Sequence, residues 1–301
     1  MITRDVAAFV AFARRVPADL PVLPRAAFMV SPEGFAFAEQ SAADNVYMRH
    51  NEVLDAQRAL AQHRGLQWRM AQSLPTICFP GNPETPDAVF ANNVFATAAE
   101  RLLIAPMRHP VRQRETERSD IPDFFSQVLG YQIVDLRSVA GVAELTGSLV
   151  IDHARGLGYC GLSARCDEAG AAAMHAAFRL RATLLFDLAP GEYHTNVLMS
   201  VLAGRALVIC PDGFADPDIA LALHGLYSHT ITLDAGERQG FAGNCIALSA
   251  DSVWMSARAA ATLTRINRAA FATAQFSLVA LPLDELEKAG GSLRCCVAEI
   301  F

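Results

Sequence analysis

The chain has 301 residues, of which 52% are hydrophobic, and its formal net charge is −6. This mild acidity argues against a nucleic-acid-binding protein, which would usually carry a basic stripe, while the apolar half of the chain suffices for a large core. Its seven cysteines are an odd number and include no C-x-x-C pair, which argues against a secreted disulfide framework and against a thiolate zinc site. We therefore expect a cytoplasmic protein with reduced thiols.

The first predicted element is a short surface helix. The apolar run Val6–Ala13 follows Thr3, a residue type that caps helices, and ends at two arginines. The run is too short for a signal peptide, and no apolar stretch of the sequence approaches the ~20 residues of a membrane span. We therefore expect the chain to make no contact with a membrane.

Further along the chain, a short apolar strand recurs five times, with starts at Arg25, Arg101, Gly156, Arg205 and Asp251. Each copy is followed by a segment compatible with a helix and then by another apolar strand. Examples of this last strand lie at 132–136, 183–187, 230–233 and 276–280. Any α/β protein shows apolar strands at such intervals, so the spacing alone leaves an ordinary α/β arrangement open.

A strand with a polar opening precedes each of the last four copies, and a fifth such strand closes the chain. These strands begin at Asp87, Thr146, His194, Ala242 and Leu293. The last one has no partner except the strand at Arg25, which predicts that the two ends of the chain pair. The sequence thus favours five strand–strand–helix–strand modules in a closed radial arrangement, which limits exposed sheet edges, over two separate domains.

In a radial arrangement the polar openings meet near the centre, where they bring together side chains used in nucleophilic catalysis. Cys295 would supply the thiolate, His194 would move protons and Glu144 would orient or anchor. Each of them alone is also consistent with a structural residue: a buried cysteine, a hydrogen-bonded histidine and a loop carboxylate. Glycines before Cys295 allow close backbone approach, and the cation of Arg294 beside it would favour a thiolate. On a strand, Cys296 would face the opposite side.

Six motifs, taken in order, give the chain a family resemblance. They are TPDAVFANN (85–93), PM followed by R and E (106–115), ELTGS (144–148), YHTN (193–196), FAGN (241–244) and GGSLRCCVAEIF (290–301). From about residue 29 to its end, the chain resembles the amidinotransferase/arginine deiminase (pentein) superfamily, and within it the citrulline-utilisation hydrolases. The resemblance implies an α/β fold that is a five-bladed pseudo-symmetric ββαβ propeller, with residues 26–301 as a single catalytic domain and residues 1–25 as an N-terminal extension.

The resemblance also implies roles for individual residues. Cys295 matches the nucleophile, His194 the catalytic histidine and Glu144 the catalytic acidic residue. Arg112 and, less directly, Arg294 would hold a substrate carboxylate, a task that favours arginine over lysine. The other candidate substrate-binding residues, some of which could equally be turn residues, are Asp87, Asn92, Asn93, Asn196 and Asn244. Two positions depart from the family pattern, since Leu145 stands where a glycine is usual and Cys296 where a methionine is expected.

The amides of Asn93 and Asn196 bear on the substrate. Relatives that act on arginine typically carry aspartates at these positions, whereas an amide suits a neutral ureido group. The resemblance therefore favours a cysteine-dependent hydrolase that cleaves the ureido C–N bond of citrulline or a related compound to ornithine, ammonia and carbon dioxide. Neither a metal nor an organic cofactor is needed for this chemistry.

Three alternatives stay open. Arginine dihydrolases of the superfamily also use an asparagine near position 93, so arginine or a modified arginine is a second substrate class. Amidino transfer to an amine uses the same covalent intermediate as hydrolysis. A non-catalytic propeller binding module is the alternative of another class, and it would have a degraded centre. We expect a small ureido or guanidino amino acid as the partner, no nucleic acid, and apolar surface-helix positions that permit a homodimer.

Overall fold

The computed structural model describes residues 1–49 and 51–301, and over these residues sixteen strands form five separate sheets. The strands are β1 (Ile2–Thr3), β2 (Ala26–Val30), β3 (Thr76–Phe79), β4 (Phe95–Thr97), β5 (Arg101–Ile104), β6 (Gln132–Asp135), β7 (Leu149–Asp152), β8 (Leu157–Leu162), β9 (Ala182–Asp187), β10 (Met199–Leu202), β11 (Ala206–Ile209), β12 (His229–Thr232), β13 (Ile246–Ala247), β14 (Ser252–Ser256), β15 (Ser277–Leu281) and β16 (Ala298–Ile300).

Most of the helices in the described residues are short. They are α1 (Val6–Ala13), α2 (Glu39–Ala42), α3 (Ala56–Ala71), α4 (Pro110–Gln113), α5 (Asp120–Asp123), α6 (Leu145–Ser148), α7 (Glu168–Ala177), α8 (Thr195–Leu198), α9 (Pro217–Leu223), α10 (Ala235–Gln239), α11 (Ala257–Thr262), α12 (Arg265–Thr273) and α13 (Asp284–Glu287). Turns of 3-10 helix lie at Ala91–Asn93, Arg114–Glu117, Pro211–Gly213 and Leu293–Cys296, and a π-helical turn lies at Phe124–Val128.

Every sheet repeats one pattern, in which the first and second strands are antiparallel and the second and third are parallel. The strand orders are β16-β2-β3, β4-β5-β6, β7-β8-β9, β10-β11-β12 and β13-β14-β15. A parallel pair needs a crossover connection, and helices supply it, as α3 does between β2 and β3. The module predicted from the sequence is therefore confirmed. The pairing of the two chain ends is confirmed as well, since Ala298 of β16 lies opposite Phe28 of β2.

The N-terminal segment is docked on one of these sheets. Strand β1 adds to β9 in parallel, and Phe9 of α1 is fully buried with its ring centroid 5.5 Å from that of Tyr159. Helix α1 has the predicted bounds, but its cap is Asp5, whose carboxylate accepts a hydrogen bond from the Ala8 amide, and not Thr3. None of the described helices combines the length and the apolarity needed to cross a lipid bilayer.

The polar openings that the sequence predicted to be strand starts are helical turns. The 3-10 turn 91–93 precedes β4, α6 precedes β7, α8 precedes β10 and the 3-10 turn 293–296 precedes β16. Asn, Thr, Gly and Ser favour turns because their side chains compete for backbone hydrogen bonds. The expectation that Cys295 and Cys296 face opposite sides of a strand is therefore wrong, since both lie in one turn.

Packing between sheets brings these turns together. The first strands of neighbouring sheets contact each other, β16 with β4, β7 with β10 and β10 with β13. As a result α6 touches both α8 and the turn 91–93, and this turn touches the turn 293–296. Four segments that are far apart in sequence thus present polar side chains to one small region.

Candidate active site

A small cavity of about 10 Å³ lies where these turns meet. Its lining combines charged, amide and aromatic side chains with a thiol, and consists of Ser41, Asn45, Asp87, Phe90, Asn93, Arg112, Arg165, Tyr193, His194, Ala289, Gly291 and Cys295. Among the described residues, no three His, Cys, Asp or Glu side chains are grouped so that they could hold a metal ion. The chemistry available in the cavity is therefore that of the thiol, the imidazole and the charged groups.

His194 and Glu144 form a fully buried pair. The imidazole Nε2 lies 2.9 Å from Oε2 of Glu144, and both side chains are 0% exposed. Burial lowers the pKa of His194 and outweighs the opposing effect of Glu144, which favours the imidazolium. Burial would raise the pKa of Glu144, but Arg165 and His194 hold the pKa of this carboxyl well below its usual range. A neutral imidazole beside an ionised carboxylate can accept a proton and return it.

The position of the imidazole depends on Gly147 in α6. A Cβ atom at Gly147 would lie 2.7 Å from Cε1 of His194 and 2.6 Å from Oδ1 of Asn93, so any larger residue must displace one of these groups. Nδ1 of His194 and Oδ1 of Asn93 are both buried without a partner among the described residues. These two atoms are therefore free to bind a ligand.

Cys295 is held by an asparagine. Nδ2 of Asn244 lies 3.3 Å from the Cys295 sulfur, while Oδ1 of Asn244 accepts a 3.0 Å hydrogen bond from the Arg294 amide. Burial raises the pKa of the Cys295 thiol, and the hydrogen bonds from Ser292 backbone and the Asn244 amide act against this. Asn244 therefore orients the nucleophile turn and favours a thiolate, instead of lining the cavity as a substrate-binding residue.

Arg165 is the central charged residue that the sequence interpretation missed. Its Nη1 lies 3.1 Å from Oε2 of Glu144, its Nε donates to Oδ1 of Asp44 at 2.9 Å, and its side chain is 2% exposed. The guanidinium also lies over the Tyr193 ring, 5.6 Å from the centroid. In the sequence, Arg165 is recognisable only as a charged residue just after the buried strand β8, and this position does not indicate which groups it binds.

Arg112 and Asp87 lie at the cavity, as predicted. Arg112 is bound to Glu115 through Nε at 2.6 Å and Nη2 at 2.9 Å, and Nη2 also donates to the Phe90 carbonyl at 3.2 Å. Asp87 accepts a 2.6 Å hydrogen bond from Ser41 at Oδ2, and Oδ1 is buried without a partner in the described residues. Burial raises the pKa of Asp87. Its carboxylate is therefore the acidic group of the cavity that has a free oxygen.

The four asparagines predicted as ligands of the substrate are not equivalent. Asn93 lines the cavity, whereas Asn92 is fully buried outside the lining and neither of its amide atoms has a partner among the described residues. Asn196 donates to the Thr146 carbonyl at 3.0 Å, and its Oδ1 lies 3.9 Å from the Cys295 sulfur. Asn93 therefore lines the first cavity, while Asn196 lines a second one of about 40 Å³.

Arg294 does not reach the cavity, in contrast to the prediction. Its Nη2 pairs with Glu299 at 3.0 Å, its Nη1 donates to the Val297 carbonyl at 2.8 Å, and its side chain lines the second cavity. The 3-10 turn is the physical reason, because it places the Cys295 side chain toward His194 while the neighbouring side chain runs back along β16. The expectation that Arg294 holds a substrate carboxylate is not supported.

Leu145 stands at the position where the resemblance predicts a glycine. Its φ of 25° lies in the left-handed region, which costs an L residue about 1–2 kcal/mol. The side chain is fully buried, and burying a leucine contributes about 1.5–3 kcal/mol, which offsets this strain. Helix α6 therefore keeps Glu144 in place without the glycine.

A segment of residues 39–49, here called the lid, closes the cavity. Ser41 and Asn45 of the lid line the cavity, and the Tyr47 hydroxyl donates to Glu192 at 2.8 Å. Met48 forms an isolated β-bridge with Ala289. With the lid in place, Cys295 is only 1% exposed.

Comparisons with known proteins show the family of the chain. The sequence model of the family described as "N,N dimethylarginine dimethylhydrolase, eukaryotic" matches residues 31–301. The N(G),N(G)-dimethylarginine dimethylaminohydrolase of Mycobacterium tuberculosis (strain ATCC 25618 / H37Rv) is 28% identical over 278 residues, which cover 90% of this chain and 84% of that protein.

Two solved structures share the fold. The product-bound N-terminal domain of ArgZ, an arginine dihydrolase from the ornithine-ammonia cycle in cyanobacteria, has a TM-score of 0.78 and 18% identity, covering 94% of this chain and 98% of that one. A mutant of the Pseudomonas aeruginosa DDAH complexed with citrulline has a TM-score of 0.71 and 19% identity, covering 92% and 100%. The superfamily predicted from the motifs is confirmed, and the mixed α/β fold is that of pentein structures.

Proposed function

Because the chain belongs to the N,N-dimethylarginine dimethylhydrolase family, we propose that it is a cysteine-dependent hydrolase that cleaves a C–N bond of a guanidino amino acid. The observation that carries the proposal is the 2.9 Å contact between His194 and the ionised Glu144 at the same closed cavity as the Cys295 thiol. Nucleophile, proton carrier and orienting carboxylate are the parts that covalent catalysis requires. A non-catalytic binding module would not need this arrangement.

The reaction proceeds in two balanced steps. His194 takes the proton of the Cys295 thiol, the thiolate attacks the guanidino carbon and forms a C–S bond, and the C–N bond breaks as the imidazolium gives that proton to the departing amine. Water then attacks the same carbon and gives a proton to the neutral His194, the C–S bond breaks, and the ureido product is released. Glu144 stabilises the imidazolium that is present before the first C–N bond breaks and that forms again in the second step. The closed lid excludes bulk water from the first step.

The charges around the cavity favour a cationic substrate. Four buried or half-buried carboxylates face two guanidinium groups, an excess of carboxylates that a cationic substrate would reduce; these groups are Asp44, Asp87, Glu115, Glu144, Arg112 and Arg165. Oδ1 of Asp87 is the unpartnered acceptor, and a guanidinium offers planar N–H donors to a carboxylate. We infer that Asp87 binds the guanidinium, and that the free Nη1 side of Arg112 faces the substrate carboxylate.

A ureido substrate of the citrulline type is the second candidate, and Asn93 favours it. Its amide lies at the cavity with Oδ1 unpartnered among the described residues. An amide offers a donor and an acceptor without charge, which matches a neutral ureido group. With citrulline as the substrate, Cys295 attacks the ureido carbon, and the products are ornithine, ammonia and carbon dioxide.

One assay separates the two candidates. Purified protein is incubated with arginine, N,N-dimethylarginine or citrulline, and ammonia, dimethylamine, citrulline and ornithine are measured, with Cys295→Ser as the control. Formation of citrulline with release of ammonia or dimethylamine supports the guanidino substrate. Consumption of citrulline with arginine compounds untouched supports the ureido substrate, and no turnover of any of the three contradicts both.

We propose further that the five sheets are the blades of a ββαβ propeller around this site. Residues 26–301 would then form one catalytic domain, with residues 1–25 as an extension docked through β1 and α1. The cysteines of the described residues are all free, which suits a protein of the cytoplasm. A homodimer is compatible with this proposal.

A further inference from the structure

The lid touches the catalytic groups at one charged residue. Asp44 lies between α2 and the bridge at Met48, with its side chain 21% exposed. Oδ1 of Asp44 accepts from Nε of Arg165 at 2.9 Å, and Oδ2 lies 2.9 Å from Nε2 of His109. Other lid contacts are made by uncharged side chains or by the backbone: Ser41 donates to Asp87 at 2.6 Å, Met48 forms the bridge with Ala289, and Tyr47 donates to Glu192 outside the cavity lining.

Through Arg165 this contact continues to the catalytic pair. The guanidinium of Arg165 lies between two carboxylates, Asp44 at 2.9 Å and Glu144 at 3.1 Å, and Glu144 in turn lies 2.9 Å from His194. Because Arg165 and Glu144 are nearly or fully buried, little water screens the charges along this series. A change at Asp44 is therefore felt by the groups that form and use the thiolate.

We propose that Asp44 is a positioning residue that, when the lid closes, orients Arg165 and balances its charge beside Glu144 and His194. With the lid open, Arg165 would keep Glu144 and lose its second carboxylate partner, so its positive charge would act more strongly on this pair. When the lid closes, the negative charge of Asp44 lies beside Arg165 again, and it shifts the proton equilibria of His194 and Cys295 toward the forms used in turnover. The inference rests on the proposed function, because it is the hydrolase reaction that uses this pair.

The other charged and titratable groups that face Asp44 and the catalytic pair are the same in the wild type and in variants of Asp44. Burial works to raise the pKa of Asp44, but hydrogen bonds from Arg165 and His109 keep the pKa of this carboxyl below its usual range, so Asp44 is ionised. The groups that face the catalytic pair from the neighbouring elements are Asp87, Arg112, Glu115, Arg165, Tyr193 and Cys295. Removing one charge at Asp44 therefore makes the whole cavity more positive.

The test is the ionisation of Cys295 without substrate. Thiolate absorbance near 240 nm is followed against pH, and the same signal of a Cys295→Ser background is subtracted. Asp44→Asn keeps the shape and one acceptor for Arg165 but removes the charge, so the titration midpoint of Cys295 should fall by about half a unit to one unit. Tyr47→Phe loosens the lid at its contact with Glu192 and leaves the charge near Arg165 unchanged.

The proposal predicts a lowered midpoint for Asp44→Asn, a midpoint close to wild type for Asp44→Glu and no shift for Tyr47→Phe. An unchanged midpoint for Asp44→Asn, or an equal shift for Tyr47→Phe, would overturn it, because Asp44 would then only fasten the lid. Should Asp44→Asn not fold, Asp44→Ala carries the same expectation. Turnover of arginine, dimethylarginine and citrulline by the wild type is measured separately, so a midpoint shift without turnover refutes the proposed function alone.

Discussion

Replacing Glu144 by glutamine tests the electrostatic support of the catalytic histidine. Glutamine has the shape of glutamate, but it removes the negative charge that faces His194 at 2.9 Å and Arg165 at 3.1 Å. A hydrogen bond to a charged group contributes about 1.5–3 kcal/mol and a neutral one about 0.5–1.5, so the imidazolium loses about 1–2 kcal/mol. At about 1.36 kcal/mol for each unit, the pKa of His194 falls by about 0.7 to 1.5 units.

This shift has a measurable consequence for turnover. The imidazolium that protonates the leaving amine becomes about 5- to 30-fold rarer at neutral pH, and kcat for a guanidino substrate should fall by the same factor. The assay is the release of amine as a function of pH, in which the alkaline-side limb of kcat, where the imidazolium loses its proton, should move to lower pH. Circular dichroism melting checks that the variant folds.

Glu237→Gln is the matched control. Glu237 is also buried, 1% exposed, but it caps α10 and binds Asn267, away from the cavity. Its loss should lower the free energy of unfolding and leave the pH dependence of kcat unchanged. A Glu144→Gln variant with wild-type kcat and an unshifted pH profile would refute the electrostatic role of the carboxylate.

Three further predictions follow from the contacts. Gly147→Ala should lower kcat by about 100-fold or more, since the added Cβ would displace the His194 ring. The control is Gly65→Ala in α3, which has open space around it and should raise the melting temperature. Folding depresses the pKa of Glu144, so the ionised carboxylate stabilises the folded state above about pH 4.5, and this contribution is lost as the pH falls further. Below about pH 4.5, the free energy of unfolding should therefore fall more steeply with decreasing pH in the wild type than in Glu144→Gln. Asp87→Asn should raise KM for arginine at least tenfold while leaving KM for citrulline within about twofold. Asp87→Glu keeps the negative charge and should raise KM for arginine less.

Several features of the fold could be predicted because they rest on local apolar patterns. Helix α1 was recognised from one apolar run, and the pairing of β16 with β2 followed from the absence of any other partner strand. The meeting of Glu144, His194 and Cys295 at one cavity followed from the repeat and from the motifs.

The features that sequence did not predict depend on turns and on side-chain direction. A strand was expected through Cys295, but polar and small residues make a 3-10 turn there, which directs Arg294 to Glu299 and away from the cavity. The Asp44–Arg165 contact joins the lid to a loop 121 residues further on, and no periodicity relates the two. Charge pairing across such a distance is set by the tertiary packing.

The central claim is a covalent intermediate on Cys295, and mass spectrometry of the acid-quenched enzyme during turnover tests it directly. With arginine or N,N-dimethylarginine, the peptide that contains Cys295 should gain the mass of the substrate less that of the departing amine, and the gain should disappear when the substrate is exhausted. Cys295→Ser should show neither the added mass nor turnover. Steady turnover without any adduct on Cys295, or an adduct on another cysteine alone, would contradict the account.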